Sequence, residues 1–348
     1  MRTLARIALT VWLLAAPGLL HAGDEAPPAE LAPPAFPPEL TGRVTAEQAR
    51  PLAPAADPEM EKLLKPYVVP PAGYDWKMKL HVRGHAGAIY NVTFPSPCVT
   101  RFETNNTVHA EYYVSERPGR RPAVIVLHIL AGQFLAERIL SGALASEDTH
   151  ALFIMMPFYG PRRPPNWSRR AFEDPDVIRA ALQQAVMDAR RAAEWLATRP
   201  EVDPDAVGLC GISLGGFVAA TTAGVDGRFP RVVIVLAGGD LVVMLENRAH
   251  EVARIRELAA PNGLDAERLK AFLQPIEPLT FASRLKDTKV LMLNGRQDEV
   301  VPPACSKALA KASGARIEWY DATHYSMVWY LPALLVRTCD FLGGKTER

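Results

Sequence analysis

The order of apolar and polar positions divides the chain from residue 73 onward into two kinds of predicted strand. In the first kind, apolar and polar residues alternate, as in Trp76–Val82, which is typical of a strand with one face toward solvent. Ala88–Phe94 and Val108–Val114 show the same alternation and are separated by stretches that favour turns. The pattern predicts antiparallel strands at one edge of a sheet.

The second kind is an almost continuous apolar run, typical of a strand that is covered on both faces. Ala123–Leu130 is the first example, and further strands follow it with helical patterns between them. Strands that alternate with helices form βαβ units, so the pattern predicts an α/β fold with a mostly parallel sheet and flanking helices. The later predicted strands are Ala151–Phe158, Val207–Ile212, Val232–Ala237, Lys289–Asn294 and Arg316–Tyr320, and the helices include Gly132–Ala145, Asp176–Thr198 and Leu214–Ala223.

One segment, Leu241–Phe281, interrupts this alternation. It has helical spacing but no clear strand. We interpret it as a small helical insertion above the sheet, because loops at the carboxyl ends of parallel strands surround the binding site of such a sheet. Its apolar stretch from Leu241 to Leu245 is expected to face either the core or a substrate pocket.

The amino terminus has the features of an exported protein. Arg2 and Arg6 precede a short apolar run, Ile7–Leu20, which predicts a signal peptide over residues 1–22 and a periplasmic or secreted mature chain. A membrane anchor is the alternative, but the run is shorter than the roughly 20 apolar residues that a membrane-spanning helix needs. We therefore expect no stable membrane insertion of the mature chain.

Residues 23–72 are rich in Pro, which stiffens the backbone and removes hydrogen-bond donors. This composition predicts an extended linker, with one short helix at Pro58–Lys65 that Asp57 would cap. The globular domain is then expected over residues 73–345.

The overall charge limits the classes of molecule that the chain is expected to bind. The 348 residues carry a formal net charge of +1 without a long basic run, which argues against nucleic acid and favours a small-molecule substrate. The four cysteines match no zinc-binding spacing, so no metal is expected. Cys305 and Cys339 could meet if their helices pack together, but the sequence does not establish that pairing or an oligomeric state.

The strongest chemical signal is the G-x-S-x-G motif at Gly211–Gly215. The motif lies where a buried strand turns directly into a helix, and a serine at such a turn projects its hydroxyl from the sheet edge. Ser213 is therefore the candidate nucleophile, and the backbone amide of Leu214 at the helix start is a candidate oxyanion donor. The alternative is a Gly-Ser turn that only caps the helix.

A serine nucleophile needs a base and an acid that orients the base. His324 follows the last predicted strand, and Asp298 follows the strand before it, so both lie in carboxyl-end loops. Asp240 is the alternative acid, whereas Asp321 lies too close along the chain to His324. The chain order Ser213, Asp298, His324 is the order found in α/β-hydrolases.

Two further loops contain candidate site residues that no specific motif marks. The second oxyanion amide should come from the loop after Ala123–Ile129, and we choose Leu130. Arg162 and Arg163, together with Tyr159, lie in a Pro-rich loop on the carboxyl side and could bind a substrate carboxylate or phosphate. The alternative is a solvated loop with both arginines packed against Trp167.

The elbow at Gly211–Gly215, the stretch from Gly295 through Asp298 to Pro302, and the late His324 resemble the α/β-hydrolase superfamily over roughly residues 73–342. Within it, the chain is similar to the esterase and dienelactone-hydrolase-like branch. The resemblance implies an acyl hydrolase that needs no cofactor. One departure is that Ile129 stands where the family usually has a glycine after the histidine, which bears on the geometry of the second oxyanion donor.

These features lead to three hypotheses of function. The first is a serine hydrolase that cleaves carboxylic esters through an acyl-serine intermediate with a Ser-His-Asp triad. The second keeps the triad but cleaves a peptide or a thioester. The third is a non-catalytic binding protein on the same fold, and the presence of all three triad residue types in suitable loops counts against it.

Overall fold

The computed structural model describes residues 36–84, 87–130, 133–165, 174–246 and 266–345. The predicted signal peptide lies outside the described residues, as do residues 23–35 of the predicted linker and residues 247–265 of the predicted insertion. No helix among the described residues is long and apolar enough to cross a membrane.

The described chain contains ten strands and nine α-helices. The strands are β1 (Glu39–Val44), β2 (Tyr74–Gly84), β3 (Gly87–Pro95), β4 (Thr107–Ser115), β5 (Arg121–Leu127), β6 (His150–Met155), β7 (Val202–Ile212), β8 (Arg231–Val235), β9 (Lys289–Gly295) and β10 (Arg316–Tyr320). The helices are α1 (Pro58–Leu64), α2 (Leu135–Ser146), α3 (Pro175–Ala197), α4 (Leu214–Asp226), α5 (Leu241–Glu246), α6 (Ala266–Leu273), α7 (Pro278–Phe281), α8 (Pro303–Ser313) and α9 (Leu331–Leu342). Short 3₁₀ turns include Gly160–Arg162 and Ser326–Tyr330.

All ten strands form one mixed sheet in the order β1-β2-β3-β4-β6-β5-β7-β8-β9-β10. The strands from β1 to β4 pair antiparallel, and β4 joins β6 antiparallel as well. From β6 to β10 every neighbouring pair is parallel. The predicted fold class, a mostly parallel sheet with antiparallel strands at the amino-terminal edge and flanking helices, is confirmed.

The helices cover both faces of the parallel part. The chain moves one way along the sheet from β5 to β6 and the other way from β6 to β7, so right-handed crossovers place α2 and α3 on opposite faces. Helix α9 packs against α2, and α3 packs against α4. The carboxyl ends of β5 to β9 therefore meet at one edge between two helical layers.

Two strands end earlier in the structure than their apolar runs predict. β5 stops at Leu127 rather than Leu130, and β6 stops at Met155 rather than Phe158. An apolar run cannot show where a strand leaves its hydrogen-bond ladder, because the run continues past that point. Met156, Pro157 and Phe158 stay buried after β6, whereas Leu130 is exposed after β5. Both surplus segments border the candidate site described below.

The linker prediction is wrong for residues 36–72. Strand β1 pairs with β2 along its whole length, and Val44 and Tyr67 are fully buried. The amide of Ala53 also donates to the carbonyl of Asp226 at the end of α4. Prolines remove donors only where they occur, and Glu39–Val44 contains none, so the Pro-rich composition concealed an ordinary edge strand. The predicted short helix is present as α1, and the Asp57 carboxylate caps it by accepting from Met60 N.

The described parts of the Leu241–Phe281 segment are helical, as α5, α6 and α7 show. Leu241 and Leu245 pack with Leu273 and Ile276 in a small apolar cluster separate from the main core. All four cysteines are free, so Cys305 and Cys339 do not form a disulfide.

Candidate active site

Ser213 lies at the turn between β7 and α4. Its backbone has φ of 50° and ψ of −113°, a conformation that residues other than Gly rarely adopt. Its amide donates to the carbonyl of Val235 at 2.8 Å, which fixes the turn to the neighbouring strand. A Cβ atom on Gly211 would overlap the carbonyl of Gly215, and one on Gly215 would overlap the carbonyl of Leu127. The glycines of the motif are therefore required by close approach of the backbone.

Backbone strain is concentrated around this turn. Six residues other than Gly have positive φ in the described chain. Three of them, Phe158, Ser213 and Leu236, line the same cavity, and two more flank it at the starts of α2 and α5. Those two are Phe134 and Asp240, and the sixth is Asp148. Strained backbone persists where the surrounding structure fixes it, and it is typical of functional sites.

The structure brings Ser213, His324 and Asp298 together. Ser213 Oγ lies 3.1 Å from His324 Nε2, and His324 Nδ1 lies 2.8 Å from Asp298 Oδ2. The His324 side chain is 11% exposed and that of Asp298 only 1%. A carboxylate that accepts from Nδ1–H leaves Nε2 as the acceptor, so this network assigns the tautomer that can take a proton from the serine hydroxyl.

Asp298 is fixed by the backbone that follows it. Its Oδ1 accepts from the amides of Val300 at 2.9 Å and Val301 at 2.8 Å, and these bonds stabilise a buried carboxylate. The two alternative acids have other partners. Asp240 accepts from Val243 N at the start of α5, and Asp321 forms an exposed ion pair with Arg296.

Leu214 begins α4, so its amide belongs to the first turn, whose N–H groups have no partner within the helix. The helix dipole adds partial positive charge at the same place. The loop after β5 lies beside this turn, because a Cβ atom on Gly215 would come within 2.9 Å of the His128 carbonyl. Leu130 in this loop is 52% exposed and lines the cavity. The two predicted oxyanion residues thus flank the same cavity.

Of the three predicted substrate-binding residues, Arg162 is placed elsewhere. It is fully buried, pairs with buried Asp188 at 2.8 Å, and donates to the carbonyls of Met155 and Asn105. Proline-rich loops are commonly solvated, but these carbonyls and the carboxylate lie beneath the loop and draw the guanidinium inward. Arg162 therefore holds the turn together and does not face the cavity.

Arg163 and Tyr159 do line the cavity. Arg163 is exposed, whereas Tyr159 is buried, and burial raises the pKa of its hydroxyl to about 12. The hydroxyl of Tyr159 donates to the carbonyl of Leu130 at 2.9 Å. Trp167, the proposed packing partner of the arginines, lies outside the described residues.

Ser213 and His324 open into a cavity of about 1100 Å³. Its lining comes from helices on both faces of the sheet and from the Leu241–Phe281 segment, and most of the side chains are apolar. Representative residues are Leu140, Leu182, Phe217, Leu245, Phe272 and Leu335. A water-excluding surface of this kind strengthens electrostatic interactions with a reacting carbonyl.

The described residues contain no group of three or more His, Cys, Asp or Glu side chains that could hold a metal ion. Two buried residues lie behind the oxyanion loop: His128, which the sequence predicts to support this loop from the sheet, and Glu137, which no motif revealed. His128 Nδ1 lies 2.7 Å from the carbonyl of Ile129, and Glu137 Oε1 accepts from the amide of Ile129 at 3.0 Å. A glutamate in an otherwise apolar face of a predicted helix was the one available signal.

Comparison with known proteins places this geometry in context. A model of the family described as alpha/beta hydrolase domain containing 18 matches residues 46–244, which is more than half of the chain. A model of the prolyl oligopeptidase family matches residues 171–326, a range that contains Ser213, Asp298 and His324. A search of curated proteins gives no match.

Solved structures show the same fold. An acetyl xylan esterase from Paenibacillus sp. R4 superposes with a TM-score of 0.63 at 20% identity, covering 85% of this chain and 97% of that one. Acetyl xylan esterase 1 from Thermoanaerobacterium sp. JW/SL YS485 gives the same TM-score at 18% identity, covering 86% and 98% of the two chains. These structures share the fold, and the family match confirms the resemblance to the α/β-hydrolase superfamily.

Proposed function

The chain belongs to the family alpha/beta hydrolase domain containing 18, and from that premise we propose that it hydrolyses carboxylic esters through an acyl intermediate on Ser213. One observation carries the proposal. A continuous series of hydrogen bonds runs from buried Asp298 through His324 to the hydroxyl of Ser213, and it ends at an apolar cavity.

In the first half of the reaction, Ser213 Oγ attacks the ester carbonyl while His324 Nε2 takes the hydroxyl proton. Asp298 stabilises the imidazolium that forms. The negative charge on the carbonyl oxygen is stabilised by the Leu214 amide together with the Leu130 amide of the neighbouring loop. The imidazolium then gives its proton to the alkoxide, the bond to the alcohol breaks, and the acyl group remains on Ser213.

The second half repeats these steps with water. His324 Nε2 takes a proton from a water molecule, and the resulting hydroxide attacks the acyl carbonyl. The tetrahedral intermediate collapses as the imidazolium returns its proton to Ser213 Oγ, which releases the carboxylic acid. Every proton therefore passes through His324 Nε2, which acts as base and as acid in both halves of the reaction.

The cavity supports an ester over a more polar substrate. A volume of about 1100 Å³ lined mainly by apolar side chains can bury a sizeable acyl group, since apolar surface removed from water contributes about 25 cal/mol per Å². The structural neighbours named acetyl xylan esterases make acetylated sugars the competing ester class. A panel of substrates should therefore include both.

A peptidase or thioesterase with the same triad is the second candidate. Of these two activities, the match of residues 171–326 to the prolyl oligopeptidase family favours the peptidase. A fully non-catalytic binding protein on this fold is the third, and the intact relay of hydrogen bonds supports catalysis instead.

The test combines covalent labelling with a substrate panel. A fluorophosphonate should label the wild-type chain at Ser213, leave Ser213→Ala unlabelled, and label Ser146→Ala normally, because Ser146 lies in α2 with its hydroxyl bonded to Gly142. Rates of hydrolysis of acyl esters, acetylated sugars, thioesters and proline anilides then show which type of bond the chain cleaves fastest. Absence of labelling and of turnover in the wild type would support the binding protein, and fastest turnover of the anilide would support the peptidase.

A further inference from the structure

The loop that carries Leu130 contains no glycine over residues 128–130, yet it must hold an amide in one orientation for catalysis. Three side chains bond to three successive peptide groups of this loop. They are His128, Glu137 and Tyr159, and none of them belongs to the triad.

The first peptide group joins His128 to Ile129. Its N–H, the amide of Ile129, donates to Glu137 Oε1 at 3.0 Å. Glu137 is fully buried at the start of α2, and burial raises the pKa of its carboxyl. This amide is therefore occupied within the protein and is not free to bind a substrate oxygen.

The second peptide group joins Ile129 to Leu130. Its carbonyl accepts from His128 Nδ1 at 2.7 Å, and His128 Nε2 in turn accepts from the amide of Met156 at 3.0 Å. These two bonds assign the imidazole as neutral with its proton on Nδ1, and burial lowers its pKa to about 4. In a trans peptide the N–H points opposite to the carbonyl, so fixing the Ile129 carbonyl also fixes the direction of the Leu130 amide.

The third peptide group follows Leu130. Its carbonyl accepts from the hydroxyl of Tyr159 at 2.9 Å, and the Tyr159 ring packs edge-on against His128 with ring centroids 4.4 Å apart. Tyr159 is itself held by the turn that buried Arg162 anchors. The peptide groups on both sides of the Leu130 amide are thus fixed from different elements of the fold.

We propose that Glu137, His128 and Tyr159 are positioning residues that together orient the Leu130 amide as the second oxyanion donor. The inference rests on the proposed acyl-serine mechanism and explains how Ile129 can replace the usual glycine. Side-chain hydrogen bonds hold an ordinary backbone in place here, so no glycine-only conformation is needed.

The test measures catalysis and transition-state binding in the same variants. Tyr159→Phe should lower kcat/KM about tenfold, and Glu137→Leu about a hundredfold, because removal of a whole oxyanion donor costs about 10²–10³-fold. The loss should appear in kcat, with KM changed by less than about twofold. A boronic acid, which binds Ser213 as a tetrahedral oxyanion mimic, should bind each variant more weakly by the same factor as its kcat/KM falls.

Two comparisons separate positioning from stability. Glu137→Gln keeps an oxygen acceptor for the Ile129 amide and should recover most of the activity that Glu137→Leu loses. Tyr112→Phe removes an equally long, buried hydrogen bond to Glu201 at 2.9 Å, away from the cavity, and should leave both kcat/KM and boronic-acid affinity unchanged.

Wild-type activity in Tyr159→Phe would overturn the inference, as would a loss confined to KM or a loss of activity without weaker boronic-acid binding. Tyr159→Phe keeps its ring, so it tests the idea even if Glu137→Leu does not fold. Failure of the proposed function looks different, because the wild-type chain would then hydrolyse no ester and bind no boronic acid, which would overturn both.

Discussion

The two sides of the site that face the substrate carbonyl are built differently. On the Ser213 side, glycines let backbone atoms approach so closely that no Cβ atom would fit between them. On the Leu130 side, an ordinary backbone is held by the side chains of His128, Glu137 and Tyr159. Both arrangements fix an amide, one through steric exclusion and the other through hydrogen bonds.

The difference determines what each side can tolerate. A steric constraint fails when any atom is added, and its cost is large and abrupt. A hydrogen-bonded constraint weakens by about 1 kcal/mol per bond and depends on the protonation state of its members. The turn at Ser213 should therefore respond to size and the loop at Leu130 to polarity and pH.

The largest effect is expected when the nucleophile itself, Ser213, is removed. Ser213→Ala should lower kcat/KM at least about a thousandfold, with residual activity from the oxyanion donors alone. Steady-state hydrolysis measures the loss, and an unchanged circular dichroism spectrum shows that the fold remains. Turnover close to wild type would mean that another group attacks the carbonyl.

Asp298→Asn should come next, with a fall in kcat/KM of about a thousandfold, because the amide favours the wrong tautomer of His324. Asp240→Asn serves as the comparison. Its side chain accepts from Val243 at the start of α5, so the change should alter kcat/KM by less than about threefold and stability by no more than about 1 kcal/mol. The reverse ranking of the two variants would assign the acid to Asp240.

Gly215→Ala tests the steric side without touching a reacting atom. The added methyl group would overlap the carbonyl of Leu127 and push the turn away from the oxyanion loop, so we expect a loss of about 3 kcal/mol or more in unfolding free energy. Gly142→Ala, in α2 with open space around the new Cβ, should instead stabilise the chain by about 0.5–1 kcal/mol. Urea denaturation compares the two, and equal stabilities would remove the steric argument.

The hydrogen-bonded side should be sensitive to acid. Burial lowers the pKa of His128 to about 4, so the unfolded chain binds this proton more readily than the folded chain does. The stability that neutral His128 contributes is present above about pH 6.5 and is lost as pH falls toward 4, up to roughly 3 kcal/mol. His128→Asn should lose less unfolding free energy between pH 7 and 4.5 than wild type, and an identical loss in both would exclude His128 as the cause.

This contrast also explains which parts of the site the sequence predicts. The glycines at the Ser213 turn lie within two residues of the nucleophile, so a short sequence motif is enough to recognise this turn. Two of the three bonds that hold the Leu130 loop join residues 8 and 29 positions apart along the chain, and only the fold brings those residues together. Strand order and carboxyl-end loops predicted Asp298 and His324, with Asp240 as the alternative acid, and the structure places Asp298 beside His324. Burial of Arg162 and the pairing of β1 depend on tertiary contacts that no periodic pattern encodes.

The smallest expected effect concerns acyl-chain preference and distinguishes a roof over the cavity from a packing segment. In α5, Met244 lines the cavity, whereas Val242, two residues before it, packs on the same apolar cluster without lining the cavity. Met244→Ala should enlarge the space above Ser213 and raise the ratio of long-chain to short-chain ester kcat/KM about threefold to tenfold, since one additional buried methylene group contributes about 1 kcal/mol. Val242→Ala should cost similar stability but leave that ratio unchanged. If both variants lose stability and neither changes the ratio, α5 contributes only to packing, and acyl-chain size is set by the helices of the domain itself.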